Sequence, residues 1–293
     1  MTLVLALPSK FLPAAAPRVL HAEAPVHERG CKEGHPALFQ ADTVEDLVNP
    51  QGLEYNGLLI KRPFHGKYDV FSREIDLSVP RFGEACALTA QVANGTPRLL
   101  SSRLHDSVSA LLAVAGLPPP LCEQIINDAL SMGVAVGSMC PTARQLDIKL
   151  EIFGDNTCAR WHQDHFVGRA IVSYNGAIGT EYTRDTNVDF WELTHCGNNK
   201  CIIRNPNEIE SVGVGDMLFI KGTQFAGMYG GANGLVHKSP DKRYHADGRV
   251  VNRLALKVDV LSFGHDAEAK ARATAEARAA EALAMRQAHR HQR

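Results

Sequence analysis

Two stretches of this chain alternate strictly between apolar and polar residues. Leu146-Asp147-Ile148-Lys149-Leu150-Glu151-Ile152 does so without a break, which predicts a strand with one buried face. Arg253 to Val260 repeats the pattern, with Leu254, Leu256, Val258 and Val260 on one face and Arg253, Ala255, Lys257 and Asp259 on the other. Between them, turn residues frame further strands. Gly154-Asp155-Asn156 reverses the chain, so Cys158 to Asp164 is predicted to return as a strand. Arg169 to Tyr174 is another, closed by a hairpin-type turn at Asn175-Gly176. Met217 to Ile220 reads as a buried strand held between Gly215 and Gly222.

A 3.6-residue period takes over upstream. Leu100, Leu104, Val108, Leu111 and Leu112 share one helical face over Pro97 to Ala115, and Gly116 with Pro118 to Pro120 ends that helix. A second helix is predicted from Leu121 to Met132 around Ile125, Ile126 and Leu130. Thr43 to Pro80 holds short apolar groups such as Leu58-Leu59-Ile60, read as strands or turns preceding the core. Glu181 to Asn207 is polar, with Phe190 and Trp191 embedded in it. The pattern gives four regions: 1–45 a loosely ordered arm, 46–140 a mainly helical support, 141–264 the strand-rich core, and 265–293 an Ala/Arg-rich helical tail. The tail has acidic residues first and basic ones last, and only Leu283 and Met285 are large and apolar, so it forms no coiled-coil seam.

Composition narrows the class. With 293 residues and 45% hydrophobic content, the chain can bury a large core. Its formal net charge of −1 leaves no electrostatic footprint for nucleic acid. No apolar run is long enough to span a membrane. The seven scattered cysteines suit a reducing compartment, the cytoplasm or an organelle interior, rather than secretion. The start up to Pro17 is a poor secretory signal, although an Ala-rich organelle transit segment stays open. Cys196 and Cys201 form the one tight pair; with no second half-site at metal spacing, a plain turn without metal is expected there.

The candidate chemistry lies in Trp161-His162-Gln163-Asp164-His165. Residues i and i+2 of an extended chain share a face, so His162 and Asp164 address one site. His237 follows in Gly234-Leu235-Val236-His237-Lys238-Ser239-Pro240, and Arg253 sixteen positions later. Two His and one carboxylate make the facial triad of non-haem Fe(II) enzymes. The order HxD, distal His, Arg resembles the 2-oxoglutarate/Fe(II)-dependent dioxygenase superfamily over residues 146–260, and within it a poorly characterised group. The resemblance implies an α+β fold with a double-stranded β-helix (jelly-roll, cupin-like) core, N-terminal packing helices and an insert over the active site. It implies Fe(II) on His162, Asp164 and His237, with 2-oxoglutarate and O2 as co-substrates. Arg253 would take the far carboxylate of 2-oxoglutarate, with Arg169 and Tyr174 as secondary candidates. The implied reaction hydroxylates or desaturates a small organic or pigment-like substrate and releases succinate and CO2. Two features depart from the common pattern: Ala255 replaces a Ser or Thr, and the His-to-Arg spacing is lengthened by a hairpin over Asp241 to Val250.

Other readings fit the same residues. A non-catalytic cupin-like protein could hold Zn or Fe on the same triad. Arg253 could pair with Asp259 or Glu151. Lys221 reads as a solvated strand end, and His165, out of phase with the triad, as outward-facing.

Overall fold

The computed structural model describes residues 36–43, 50–64, 67–225, 227 and 234–261. The predicted tail and most of the predicted arm lie outside the described residues. Within them a large sheet, a small sheet and two long helices form a mixed α/β architecture. In chain order the elements are β1 Leu38–Ala41, β2 Gly57–Ile60, α1 Ser72–Ser78, β3 Ala87–Ala93, α2 Pro97–Ala115, α3 Pro119–Met139, β4 Gln145–Phe153, β5 Gly168–Ser173, β6 Glu181–Thr183, α4 Phe190–His195, α5 Asn199–Ile202, β7 Glu210–Ser211, β8 Met217–Lys221, β9 Val236–Lys238 and β10 Arg253–Val260.

The large sheet has the order β1-β2-β8-β5-β10-β4-β3, and the small one β7-β6-β9. From β4 onward the chain passes back and forth between the two, and this sets the site between them. Strand β10 lies centrally, antiparallel to β4 and β5, with Leu256 opposite both Leu150 and Val172. Its Leu254, Leu256, Val258 and Val260 join Leu100, Leu104 and Met132 in the core shared with α2 and α3. The other face looks toward the small sheet, where Ala255 packs with Ile171, Tyr182, Leu218 and Leu235. Both predicted alternating strands therefore form as expected.

Three expectations change. Helix α3 runs seven residues past Met132, because Gly133 and Gly137 are packing sites rather than stops. A Cβ at Gly133 would come within 2.5 Å of Leu104, and one at Gly137 within 2.7 Å of Leu100, so these glycines let α2 approach closely. Asn175-Gly176 closes no hairpin: β5 pairs with β8 and β10, while β6 belongs to the other sheet. Asn175 instead hooks the start of β10, accepting from the Leu254 N–H at 2.8 Å and donating to the Asn252 carbonyl at 2.9 Å. Third, a strand, β1, forms at Leu38–Ala41 within the predicted arm, while Leu58-Leu59-Ile60, expected as strand or turn, forms β2. β2 pairs with β8 and carries the edge strand β1, and β3 covers the far edge of β4. This upstream part is tied in by Arg62, whose guanidinium grips both carboxylate oxygens of buried Asp128 at 2.6 and 3.1 Å. No helix among the described residues is long and apolar enough to cross a membrane.

Candidate metal centre

His162 is presented by a single ladder step. Its N–H and C=O exchange hydrogen bonds with those of His237 on β9, each at 3.0 Å. The strand predicted over Cys158 to Asp164 shrinks to this one bridge, since the chain must leave the small sheet at once to rejoin the large one at β5. The Gln163 side chain donates to the Gly234 carbonyl at 2.6 Å, and the Asp164 carbonyl accepts from the Thr223 N–H at 2.9 Å. The turn that results brings Asp164 in beside both imidazoles.

Ligand atoms from His162, Asp164 and His237 lie within 4.8 Å of one another, and the two rings are 4.5 Å apart. The His162 Nδ1 bonds the Arg160 carbonyl at 2.8 Å and the His237 Nδ1 bonds the Leu235 carbonyl at 3.0 Å. A carbonyl can only accept, so each Nδ1 carries a proton and Nε2 is the ring atom left to bind a metal. Those Nε2 atoms face Asp164, at 3.6 Å from Oδ1 for His162 and 3.7 Å from Oδ2 for His237. Burial holds the His237 imidazole down to about 4 against the pull of Asp164, so it is neutral at pH 7. Burial would push the Asp164 carboxyl up, but the Arg169 guanidinium outweighs it and keeps the carboxyl ionised.

Arg169 acts behind the site. Its Nη1 donates to Asp164 Oδ2 at 2.9 Å, while Nε and Nη2 grip Asp259 at 2.6 and 3.0 Å. Two imidazole Nε2 atoms turned to one oriented carboxylate, with hydrogen-bonded partners behind each, are the features of a built metal site.

Arg253 stands farther along the inward face of β10. It is 8% exposed and donates to Ser173 Oγ at 3.2 Å, Ser239 Oγ at 3.4 Å and the Gly179 carbonyl. Its guanidinium lies 4.9 Å from the centre of the Phe153 ring. Both carboxylates that could have neutralised it are engaged elsewhere: Asp259 by Arg169 and Glu151 by Lys257 at 2.6 Å. Burial lowers the guanidinium to about 10.

The remaining sequence candidates separate. Arg169 joins the triad. Tyr174 does not: odd and even positions of β5 face opposite sides, and Tyr174 is buried on the helix side with its hydroxyl donating to Asp128 at 3.1 Å. His165 is exposed and bonds Thr223 Oγ1 at 3.0 Å. Lys221 is no solvated end; it is buried, donating to the Gly52 and Leu53 carbonyls at 2.6 and 2.8 Å.

A family model described as "Protein of unknown function (DUF1826)" matches residues 70–259, which contain the whole triad. The chain belongs to this family. Comparison with curated proteins finds no match. Among solved structures, a rice dioxygenase for auxin oxidation is similar at TM-score 0.42 and 11% identity, covering 78% of this chain and 83% of that one. The Arabidopsis thaliana dioxygenase for auxin oxidation 1, in a complex with 2-oxoglutarate, gives 0.42 and 7%, covering 78% and 93%. An oxygenase from Shewanella oneidensis, titled as putative, gives 0.35 and 12%, covering 80% and 96%.

In this DUF1826 protein the 181–207 stretch divides: Tyr182 on β6 stands opposite His237 and packs on the inward face, while residues 188–203 lie behind the triad. Trp161 and Val236 each precede a triad histidine and point to the opposite face, where they pack with Val188, Leu193, Ile202 and Ile203. Residues 188–203 thus back the histidine-bearing strands, and Trp191, 63% exposed, looks to solvent. Sequence reasoning weighed Asp259 and Glu151 only as partners of Arg253. It missed Ser239, whose signal was its place two residues beyond His237.

Proposed function

We propose that this protein is an Fe(II)- and 2-oxoglutarate-dependent oxygenase acting on a small organic substrate. The observation that carries the reading is Arg253, a buried cation with no carboxylate in ion-pair contact among the described residues, tied through Ser239 to the end of strand β9, which carries His237. Ser239, which it contacts, lies two residues beyond His237, about 7 Å along an extended chain. That is the reach of a five-carbon dicarboxylate whose keto-acid end sits at the metal. A protein that only stored or sensed a metal has no use for such a cation.

The alternation of β4, the His162 segment, β5, β6, β7, β8, β9 and β10 between two sheets is read as a double-stranded β-helix, with α2 and α3 packed on its outer face. Within it His162, Asp164 and His237 would hold Fe(II). Iron there supplies the redox chemistry by which O2 oxidises a C–H bond while 2-oxoglutarate loses CO2 to give succinate. The chain's own residues set the conditions. Leu235 and Arg160 carbonyls fix the imidazole tautomers, Arg169 keeps Asp164 ionised and aimed, and Arg253 with the two serine hydroxyls receives the distal carboxylate.

The test is a titration of 2-oxoglutarate into anaerobic, Fe(II)-loaded protein, following the visible charge-transfer band that chelation of iron by a keto acid produces. Wild type should develop the band to one equivalent, and Asp164→Ala or His237→Ala should not. A wild-type protein that binds iron stoichiometrically and gives no band would be a metal-binding protein instead.

A further inference from the structure

The loop between α4 and α5, expected to be a plain turn, carries a feature its cysteine spacing hides. Glu192 lies on α4 and Cys196, four residues on, caps the end of that helix, its N–H donating to the Glu192 carbonyl at 3.1 Å. Cys201 returns on α5, and the carboxylate and both sulfurs lie within 4.8 Å of one another. Gly197, at φ 66°, makes the reversal possible in a conformation that suits glycine, and Asn198 caps α5 by accepting from the Lys200 N–H at 3.1 Å. Neither cysteine is in a disulfide. The missing half-site was therefore one helical turn upstream, in an acidic residue rather than another Cys or His.

The same loop grips the segment that presents His162. Asn199 donates to the Ala159 carbonyl at 2.7 Å and accepts from the Trp161 N–H at 3.1 Å. Those groups flank Arg160, whose carbonyl fixes the His162 tautomer. Gly197 lies against the Arg160 side chain so closely that a Cβ there would come within 2.3 Å of the guanidinium carbon.

We propose that Glu192, Cys196 and Cys201 form a second cation site, for a thiophilic divalent ion such as Zn2+, and that its occupancy steadies the His162 segment through Asn199. Two sulfurs and a carboxylate are a donor set for zinc, with water completing the tetrahedron, and they disfavour Mg2+ or Ca2+. The site does not depend on the oxygenase reading.

The probe is Co2+ added alone to the full, reduced chain, because ligation by thiolate produces an intense near-ultraviolet band that His and carboxylate ligands do not. Wild type should show that band saturating at one equivalent, while Cys196→Ser and Cys201→Ser should lose it. Glu192→Gln keeps both sulfurs; a direct ligand should matter at least as much as an outer-shell partner, so it should bind Co2+ about tenfold more weakly or worse. Cys201 is exposed, so its replacement leaves the fold intact, to be checked by thermal melting. No band in wild type, or a band surviving both serine variants, overturns the site. The link to His162 is read by hydrogen exchange at the Trp161 amide. Zn2+ should slow it in wild type and less so in Cys201→Ser; equal slowing in both would overturn the coupling while leaving the site standing.

Discussion

Replacing Arg253 by Met removes a charge and keeps much of the side chain's apolar length. Burial holds the guanidinium at about 10, more than two decades below its usual value. At about 1.4 kcal/mol per decade that is roughly 3 kcal/mol of desolvation, which among the described residues only the Glu151 charge offsets in part. A ligand carboxylate arriving there would relieve it. Breaking such a buried charge pair typically costs about 2–5 kcal/mol, so Arg253→Met should weaken 2-oxoglutarate binding by about 30-fold or more. Stability should behave differently. Without ligand the substitution deletes an unpaired buried cation, which costs little or is favourable, against three lost hydrogen bonds from Arg253. The thermal midpoint should stay within about 4 °C of wild type, the equivalent of roughly 1–2 kcal/mol for a chain this size. Arg253→Lys should rescue binding in part, restoring the charge without the two-pronged geometry. The anaerobic titration gives affinity and calorimetry the midpoint, with iron content measured alongside. Unchanged 2-oxoglutarate affinity would refute the assignment. So would a Met variant that loses stability as heavily as it loses binding, because the charge would then serve the fold.

Arg169→Met should be severe in the way Arg253→Met is not: it strands Asp164 and Asp259, both buried, at about 3–5 kcal/mol, with Lys149, 3.6 Å from Asp259, as partial compensation. An unchanged urea midpoint would show that the pair is not structural. Tyr174→Phe removes one hydroxyl from Asp128 at about 1 kcal/mol and should leave 2-oxoglutarate affinity untouched; any loss of affinity would put Tyr174 back in the site. Lys221 supplies a pH test. Burial lowers its ammonium to about 8, whereas the unfolded side chain titrates near 10.4. Between those values the unfolded state binds more protons, so this residue makes stability rise with pH from about 8 to about 10.4. Measured against Lys221→Met, wild type should gain roughly 3 kcal/mol across that window, and a flat difference would exclude the assignment.

The sequence was most readable where a single constraint set the pattern. One buried face fixed β4 and β10, and the triad could be named because HxD and a distal His require no partner to be recognised. The readings that changed depended on what lies across the sheet. Tyr174 follows the alternation of β5 faithfully, but which face looked inward depended on α3 and Asp128. The His162 segment has strand chemistry and only one strand partner. Gly133 and Gly137 resemble helix stops until Leu104 and Leu100 are packed against them. Glu192 carries no mark in the sequence that separates it from other surface glutamates; only the reversal at Gly197 brings Cys201 back to it.

The family match begins at residue 70, but the folding unit does not. A chain trimmed to 70–259 would lose β1 and β2 and leave β8 with an open row of backbone donors and acceptors, a template for pairing with other chains. It would also take Arg62 from Asp128, and from Lys221 the two carbonyls that solvate its buried charge. The stretch before the match is therefore what makes the large sheet safe in solution. Trimming to the family boundary should yield aggregates even with every triad residue present.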